Sequence, residues 1–258
     1  MIDIIVTGAY GRMGHRLAEC IVEDPQLHLA GLTEHPEHPQ LGTPVCGVEV
    51  CTDLKEIIDK GLVIIDFTTP QASVNAAQLA VAHQKAFICG TTGFSPEQLS
   101  VLKHAGSKIP VVYSPNMSVG VNLLFKLVAD VASLLNEGYD VEIVEAHHRY
   151  KKDAPSGTAQ RLADIIADTW NLDPKQAFEY GREGLTGERK DHIIGVHAVR
   201  GGDIVGEHTV SFIGLGERLE LTHKAHSRDT FIRGALSAAK WIVNQPAGFY
   251  TMHDILSS

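Results

Sequence analysis

The chain has 258 residues, 44% of them hydrophobic and 21% charged, with a formal net charge of −9. Those proportions exclude a disordered chain, and the acidic balance excludes a nucleic-acid surface, because phosphate binding needs a basic patch. No basic leader with an apolar core opens the sequence and no apolar run approaches the ~18 residues of a membrane span, so a cytoplasmic protein without a membrane partner is expected.

Residues 2–7 form an apolar, β-branched run that predicts a strand; a glycine-rich turn follows, and then Met13, Leu17, Ala18 and Ile21 recur at helical spacing. A second strand is predicted over 27–33, ending at Glu34, and a Pro- and His-rich surface loop follows over 35–44. Short apolar runs at 62–67, 86–89 and 109–113 predict further strands, with helical patterns between them at 73–82 and 96–105. Strands alternating with helices imply a parallel sheet covered on both faces.

From Ser118 the pattern changes to a long helix reaching about Leu135, a strand over 140–146, a polar loop and a helix starting near Gly157. Strand-like runs at 192–200, 207–213 and 218–224 are joined by Gly201-Gly202-Asp203 and Gly214-Leu215-Gly216, turns that predict antiparallel pairing. An amphipathic stretch over 230–243 is expected to return to the first domain. The pattern is α/β, with a first domain expected over 1–117 and 228–258 and a second over 118–227. Cys20, Cys46, Cys51 and Cys89 match neither a CxxC redox pair nor a zinc ribbon and are read as reduced thiols.

The turn Gly8-Ala9-Tyr10-Gly11-Arg12-Met13-Gly14 is a GxxGxxG variant lying where the first strand enters the first helix. Glycine there lets the backbone turn tightly and approach a pyrophosphate, which the open amides of a helix N-terminus stabilise. A tight turn that binds nothing has the same letters, but Glu34 at the end of the second strand is placed to accept hydrogen bonds from an adenine ribose. Gly90, Thr91 and Thr92, and likewise Ser114, Pro115, Asn116 and Met117, follow predicted parallel strands. Both segments thus fall at the strand ends where ligands bind in such sheets.

Residues 145–159, EAHHRYKKDAPSGTA, carry the densest chemistry. His147, His148, Lys151 and Lys152 can donate protons and neutralise carboxylates. Pro155 and Ser156 before Gly157 and Thr158 read as a helix start whose amides can hold a carboxylate. An exposed basic loop with a capped helix behind it is the plainer alternative. A metal site is disfavoured, because adjacent histidines diverge on a strand and no second ligand cluster is present.

This segment resembles the signature of the dihydrodipicolinate reductase family. Family-like segments recur in order at 8–14 (GAYGRMG), 66–68 (DFT), 90–94 (GTTGF), 116–122 (NMSVGVN), 182–189 (REGLTGER), 202–209 (GDIVGEHT) and 216–224 (GERLELTHK). The resemblance implies an α/β fold with an N-terminal Rossmann-type dinucleotide-binding domain over 1–117 and 228–258 and a C-terminal α+β domain with a mixed sheet over 118–227. It also implies reduction by NADH or NADPH of a cyclic imine dicarboxylate in the diaminopimelate route to lysine, by a homotetramer. It further implies that residues 8–13, Glu34, 90–92 and 114–117 line the cofactor, and that His148 with the amides of Gly157 and Thr158 holds a substrate carboxylate. His147 and Lys151 take the proton-transfer roles, with no metal. Two departures bear on the cofactor: His35 stands where some relatives have arginine beside the acidic residue, and Thr69-Pro70 follows Asp66-Phe67-Thr68 where some have arginine. NADH preference or dual use is expected. The competing readings are a semialdehyde or diaminopimelate dehydrogenase and a non-catalytic nicotinamide-binding sensor.

Overall fold

In the computed structural model, which describes residues 1–256, the chain divides into two units. One comprises Met1–Val119 together with the chain from Asp229 onward, and the other is Gly120–Arg228. In chain order the first unit opens with β1 (Ile2–Thr7), α1 (Arg12–Glu23), β2 (Leu27–Thr33), β3 (Val50–Cys51), β4 (Val63–Asp66) and α2 (Pro70–Ala82), then β5 (Ala86–Cys89), α3 (Pro96–Gly106) and β6 (Pro110–Tyr113). There follow α4 (Val119–Leu134), β7 (Asp140–His147), α5 (Gly157–Thr169), α6 (Pro174–Ala177), β8 (Phe178–Tyr180), β9 (Ile194–Arg200), β10 (Gly206–Gly214) and β11 (Glu217–Ala225). The chain then re-enters the first unit with α7 (Asp229–Ile242), β12 (Gly248–Tyr250) and α8 (Met252–Leu256).

The seven strands of the first unit lie in the order β3-β2-β1-β4-β5-β6-β12, and every neighbouring pair is parallel. Both faces are dry, and alternate side chains serve them. Ile4, Val6, Ile65, Ile88 and Val112 pack with α1 and α7 on one face, while Ile5, Ile64, Phe87 and Val111 pack with α2 and α3 on the other. The helix over 73–82 begins three residues earlier than its periodicity predicts. The Thr69 side chain accepts from the Ala72 amide and Pro70 occupies the first turn, where its missing N–H costs nothing. Sequence order reverses between β1 and β4, which opens a crevice at their carboxyl ends, the place where open α/β sheets bind ligands. β3 and β12, at two and three residues, were not anticipated, being too short to show a period.

The second unit holds a five-stranded sheet ordered β11-β10-β7-β9-β8. Its buried face presents Val141, Ile143, Val196, Val210 and Phe212 to Leu162, Ala163 and Ile166 of α5 and to Leu124 and Val128 of α4. Here one expectation is corrected. β10 and β11 form the antiparallel hairpin, but β9 and β10 do not pair: β7 lies between them, antiparallel to β10 and parallel to β9. The Gly201-Gly202 turn is tied to the end of β7, through Gly201 N–H to His147 O and Arg149 N–H to Gly202 O, so it closes no hairpin.

Candidate active site

In the first unit the glycine turn is shaped by close approach. Gly8 has φ +74°, and a Cβ there would stand 2.8 Å from Thr68 Cγ2; a Cβ on Gly14 would lie 2.0 Å from the Gly8 carbonyl oxygen. Gly11 caps α1 without a side-chain bond, so the helix N-terminus is left to other acceptors. Glu34 bonds the Tyr10 amide at 3.0 Å and the His35 amide at 2.8 Å. Tyr10 itself turns to the 38–43 loop, donating its hydroxyl to Thr43 O and stacking on His38. Arg12 is exposed, whereas Met13 and Ala9 pack into the core. Thr7, Gly8, Glu34, His35, Lys55, Asp66, Thr68 and Thr69 line a cavity of about 660 Å³ at the sheet's carboxyl edge. Lys55 was not singled out from the sequence; it is the second basic side chain at that wall, with His35.

Asp66, fully buried at the end of β4, joins the loops of this edge. Its carboxylate accepts from Thr7 Oγ1 at 2.7 Å, Thr68 Oγ1 at 2.9 Å and Thr91 Oγ1 at 2.8 Å, and from Ser73 Oγ. Thr91 in turn accepts the Thr68 amide, so the 66–68 and 90–92 segments form one bonded unit. Ser114 donates to Asn116 O, which folds the 114–117 segment on itself, and Met117 is buried in the same core. Thr92 and Pro115 are exposed.

In the second unit the chemistry gathers at the end of β7. His147 is the last residue of the strand, and its Nδ1 is bonded to Glu145 Oε2 at 2.6 Å. Burial pushes the His147 pKa down and Glu145 opposes it, leaving the ring below its usual value and neutral at pH 7. Burial also pushes Glu145 up, but Arg200, His147 and the Ser156 amide outweigh it and hold the carboxyl below the ordinary range. His148 follows, its Nδ1 buried and without a partner among the described residues. Lys151 is 21% exposed, with Nζ 2.9 Å from Asp153. Ser156 caps α5 by accepting the Ala159 amide, and its own amide is bonded to Glu145. Ser156 was grouped from the sequence with the substrate-binding residues; in the structure its amide is engaged by Glu145, and space remains at Gly157, where a Cβ would meet nothing within 4 Å. Thr158 stands beside it in the first turn.

His208 and Arg200 joined none of the sequence-based site assignments. His208, opposite Glu145 on β10, bonds Ser156 Oγ at 3.1 Å and meets the His147 ring edge-on at 5.2 Å. Burial drives its pKa from 6.5 down to about 3. The unfolded chain therefore binds a proton below pH 6.5 that the folded chain refuses, and stability should decline as pH falls from 6.5 toward 3. Replacing His208 by Gln is expected to flatten a few kcal/mol of that decline, read as urea midpoints across the window. An unchanged slope would remove His208 as the source.

Among the described residues no group of three or more His, Cys, Asp or Glu could hold a metal ion, and no helix is long and apolar enough to cross a membrane. All four cysteines are free thiols.

Residues 2–117 match the family model described as dihydrodipicolinate reductase, N-terminus, and residues 120–256 the one described as dihydrodipicolinate reductase, C-terminus. The chain belongs to the dihydrodipicolinate reductase family. It is 50% identical to the 4-hydroxy-tetrahydrodipicolinate reductase of Syntrophotalea carbinolica and 46% identical to that of Citrifermentans bemidjiense, with 99% of each chain covered in both comparisons. Among solved structures it resembles a dipicolinate-bound dihydrodipicolinate reductase from Paenisporosarcina sp. TG-14, with a TM-score of 0.81 at 27% identity over 97% of both chains. The N-terminal match, to the family's dinucleotide-binding domain, covers most of the first unit, and the C-terminal match takes in the mixed sheet together with α7, β12 and α8.

Proposed function

We propose that this reductase-family chain is a 4-hydroxy-tetrahydrodipicolinate reductase, an oxidoreductase that takes the cyclic imine dicarboxylate to tetrahydrodipicolinate in the diaminopimelate and lysine route. The observation that carries the reading is the gathering of His147, His148, Lys151 and the α5 N-terminus at one end of β7, in a chain similar to named reductases over its whole length. A bound reduced nicotinamide supplies the hydride, delivered to C4 of the substrate ring. The first unit fits such a cofactor, since the Gly8 cradle would be filled by a Cβ and Glu34 sits at the wall of the cavity.

In the conjugated imine formed once the C4 hydroxyl leaves as water with a C3 hydrogen, hydride addition at C4 moves the C3–C4 electron pair to C3, where Lys151 supplies the proton. His147, neutral and bonded through Nδ1, assists through Nε2. His148 and the Gly157 and Thr158 amides hold one substrate carboxylate, and this cationic pocket also stabilises the charge that develops during reduction. A sensor needs no proton donor, and a thiohemiacetal route needs a cysteine that the 145–159 segment lacks. Oxidation of NADH or NADPH on addition of freshly generated substrate tests the assignment; no oxidation with either cofactor would remove it.

Residues 8–13, 90–92 and 114–117 line the cofactor in this proposal, with Asp66 tying Thr91 of the second segment to Thr7 and Thr68. NADH is accepted readily, since Glu34 suits a ribose hydroxyl and repels a 2′-phosphate, and His35 lacks the two-pronged geometry of arginine. His35→Arg should move the kcat/KM ratio toward NADPH about tenfold, one charge-assisted hydrogen bond's worth, with substrate KM little changed. Strong wild-type NADPH selectivity that ignores this substitution would shift the choice to another residue, Lys55 first. The second unit carries substrate binding and assembly into a homotetramer; Val144 and Val199, 41% and 48% exposed on the sheet's outer face, support that contact. The free thiols support a cytoplasmic setting.

A further inference from the structure

We propose that Glu145 is a positioning residue that sets His147 and the start of α5 together, so that one buried carboxylate aligns the proton-transfer group with the substrate-carboxylate grip. The inference rests on the reductase reading above and adds a residue to it. Glu145 precedes His147 by two positions on β7, so the alternation of a strand puts both side chains on the same face. Glu145 is fully buried, and both of its oxygens are occupied. Oε2 takes His147 Nδ1 at 2.6 Å and Arg200 Nη1 at 2.8 Å, while Oε1 takes the Ser156 amide at 3.0 Å and Arg200 Nη2 at 2.7 Å.

Each of these bonds has a consequence. A carboxylate at Nδ1 places the proton of the neutral imidazole there and leaves Nε2 as the free edge. That edge lies beside Gly206, where a Cβ would come within 3.1 Å of it, so β10 leaves room for the ring. On the other oxygen, the bond to Ser156 fixes the residue that caps α5, and with it the direction of the Gly157 and Thr158 amides. Arg200, which also donates to Asp153 O, supplies the countercharge that keeps Glu145 ionised in a buried place.

A Glu145–Arg200 ion pair serving only stability is the competing account. Such a pair is weak evidence for stability, because an apolar pair of similar size commonly does as well. It gives no reason for the third and fourth bonds to run to a histidine at the strand end and to a helix cap. The charged and titratable groups that face His147 are Glu145 on its own strand, Lys151 on the following loop, Arg200 on β9 and His208 on β10. Of these only Glu145 is negative, so its removal and the removal of Arg200 must push the His147 titration in opposite directions.

The test uses the full-length enzyme and its Glu145→Gln, Glu145→Asp and Arg200→Met variants. His147 is titrated by NMR with ring-labelled histidine, assigned through His147→Asn, and kcat and both KM values are measured alongside. Glu145→Gln should lower the His147 pKa, reduce kcat at least about tenfold and raise substrate KM, while the KM for NADH stays within about twofold. Arg200→Met should raise the His147 pKa, and Glu145→Asp should recover part of kcat. A His147 titration indifferent to Glu145, or shifted the same way by both charge removals, overturns the proposal. Should Glu145→Gln fail to fold, the Glu145→Gln/Arg200→Met double variant leaves no unpaired buried charge and must still lower the His147 pKa. An NMR shift in an enzyme that does not turn over would sink the reductase reading and leave the Glu145–His147 link standing; turnover without the shift does the reverse.

Discussion

Lys151→Met is expected to lower kcat by about 10²- to 10⁴-fold while leaving NADH affinity unchanged, the usual loss for removal of a proton donor. Methionine keeps the length and apolar stem of lysine and removes its charge and its donors. The partner that Lys151 has in this structure is Asp153, a loop carboxylate whose side chain is 61% exposed. Ion pairs of that kind contribute about 0–1 kcal/mol to stability, so the melting temperature should hardly move. Collapse of turnover in a protein of wild-type stability therefore isolates a chemical role, and a rise in substrate KM alongside it would report loss of a carboxylate contact. Near-normal turnover, measured with saturating NADH, would take Lys151 out of the mechanism.

Gly14→Ala is expected to raise the Kd for NADH at least about 100-fold and to destabilise the first unit by about 1–3 kcal/mol. The added Cβ would stand 2.0 Å from the Gly8 carbonyl oxygen, 2.7 Å from its carbonyl carbon and 3.2 Å from Ala9 Cα. All three are backbone atoms, so no side-chain rotation relieves the clash. Either α1 withdraws from β1 or the 8–11 turn unwinds, and both displace the helix N-terminus from the pyrophosphate position. Isothermal titration of NADH into the variant reads the first effect and thermal melting the second. Wild-type affinity would mean that the turn tolerates a change the geometry forbids.

The parts of this molecule that were legible in the sequence are those written locally. The run from β1 through the glycine turn into α1 combines an apolar strand, glycines and helical spacing within 23 residues, and Glu34 marks the end of the next strand. The 145–159 segment likewise holds its two histidines, its two lysines and its helix start side by side. What stayed hidden is carried by distant partners. Glu145 was in view, but its role depends on Arg200, 55 positions away, and His208 reaches Ser156 across 52. The parallel pairing of β7 with β9 was missed for the same reason: the glycine turn at 201–202 predicts a hairpin, and only the assembled sheet shows that the turn is bonded to β7. Asp66 illustrates a third case, since the hydroxyls of Thr7, Ser73 and Thr91 are unremarkable in sequence until the fold turns them onto one buried carboxylate.

The most direct measurement is the fate of hydrogen during a single reduction. The enzyme is run with NADH carrying deuterium at the transferable position of the nicotinamide, with freshly generated cyclic imine dicarboxylate, and the product is examined by NMR. The account predicts one cofactor-derived deuterium at C4 of tetrahydrodipicolinate and one solvent-derived hydrogen at C3, with formation of both slowed by about 10²- to 10⁴-fold in Lys151→Met. Product without cofactor deuterium at C4, or no product from an enzyme that binds NADH, would contradict it.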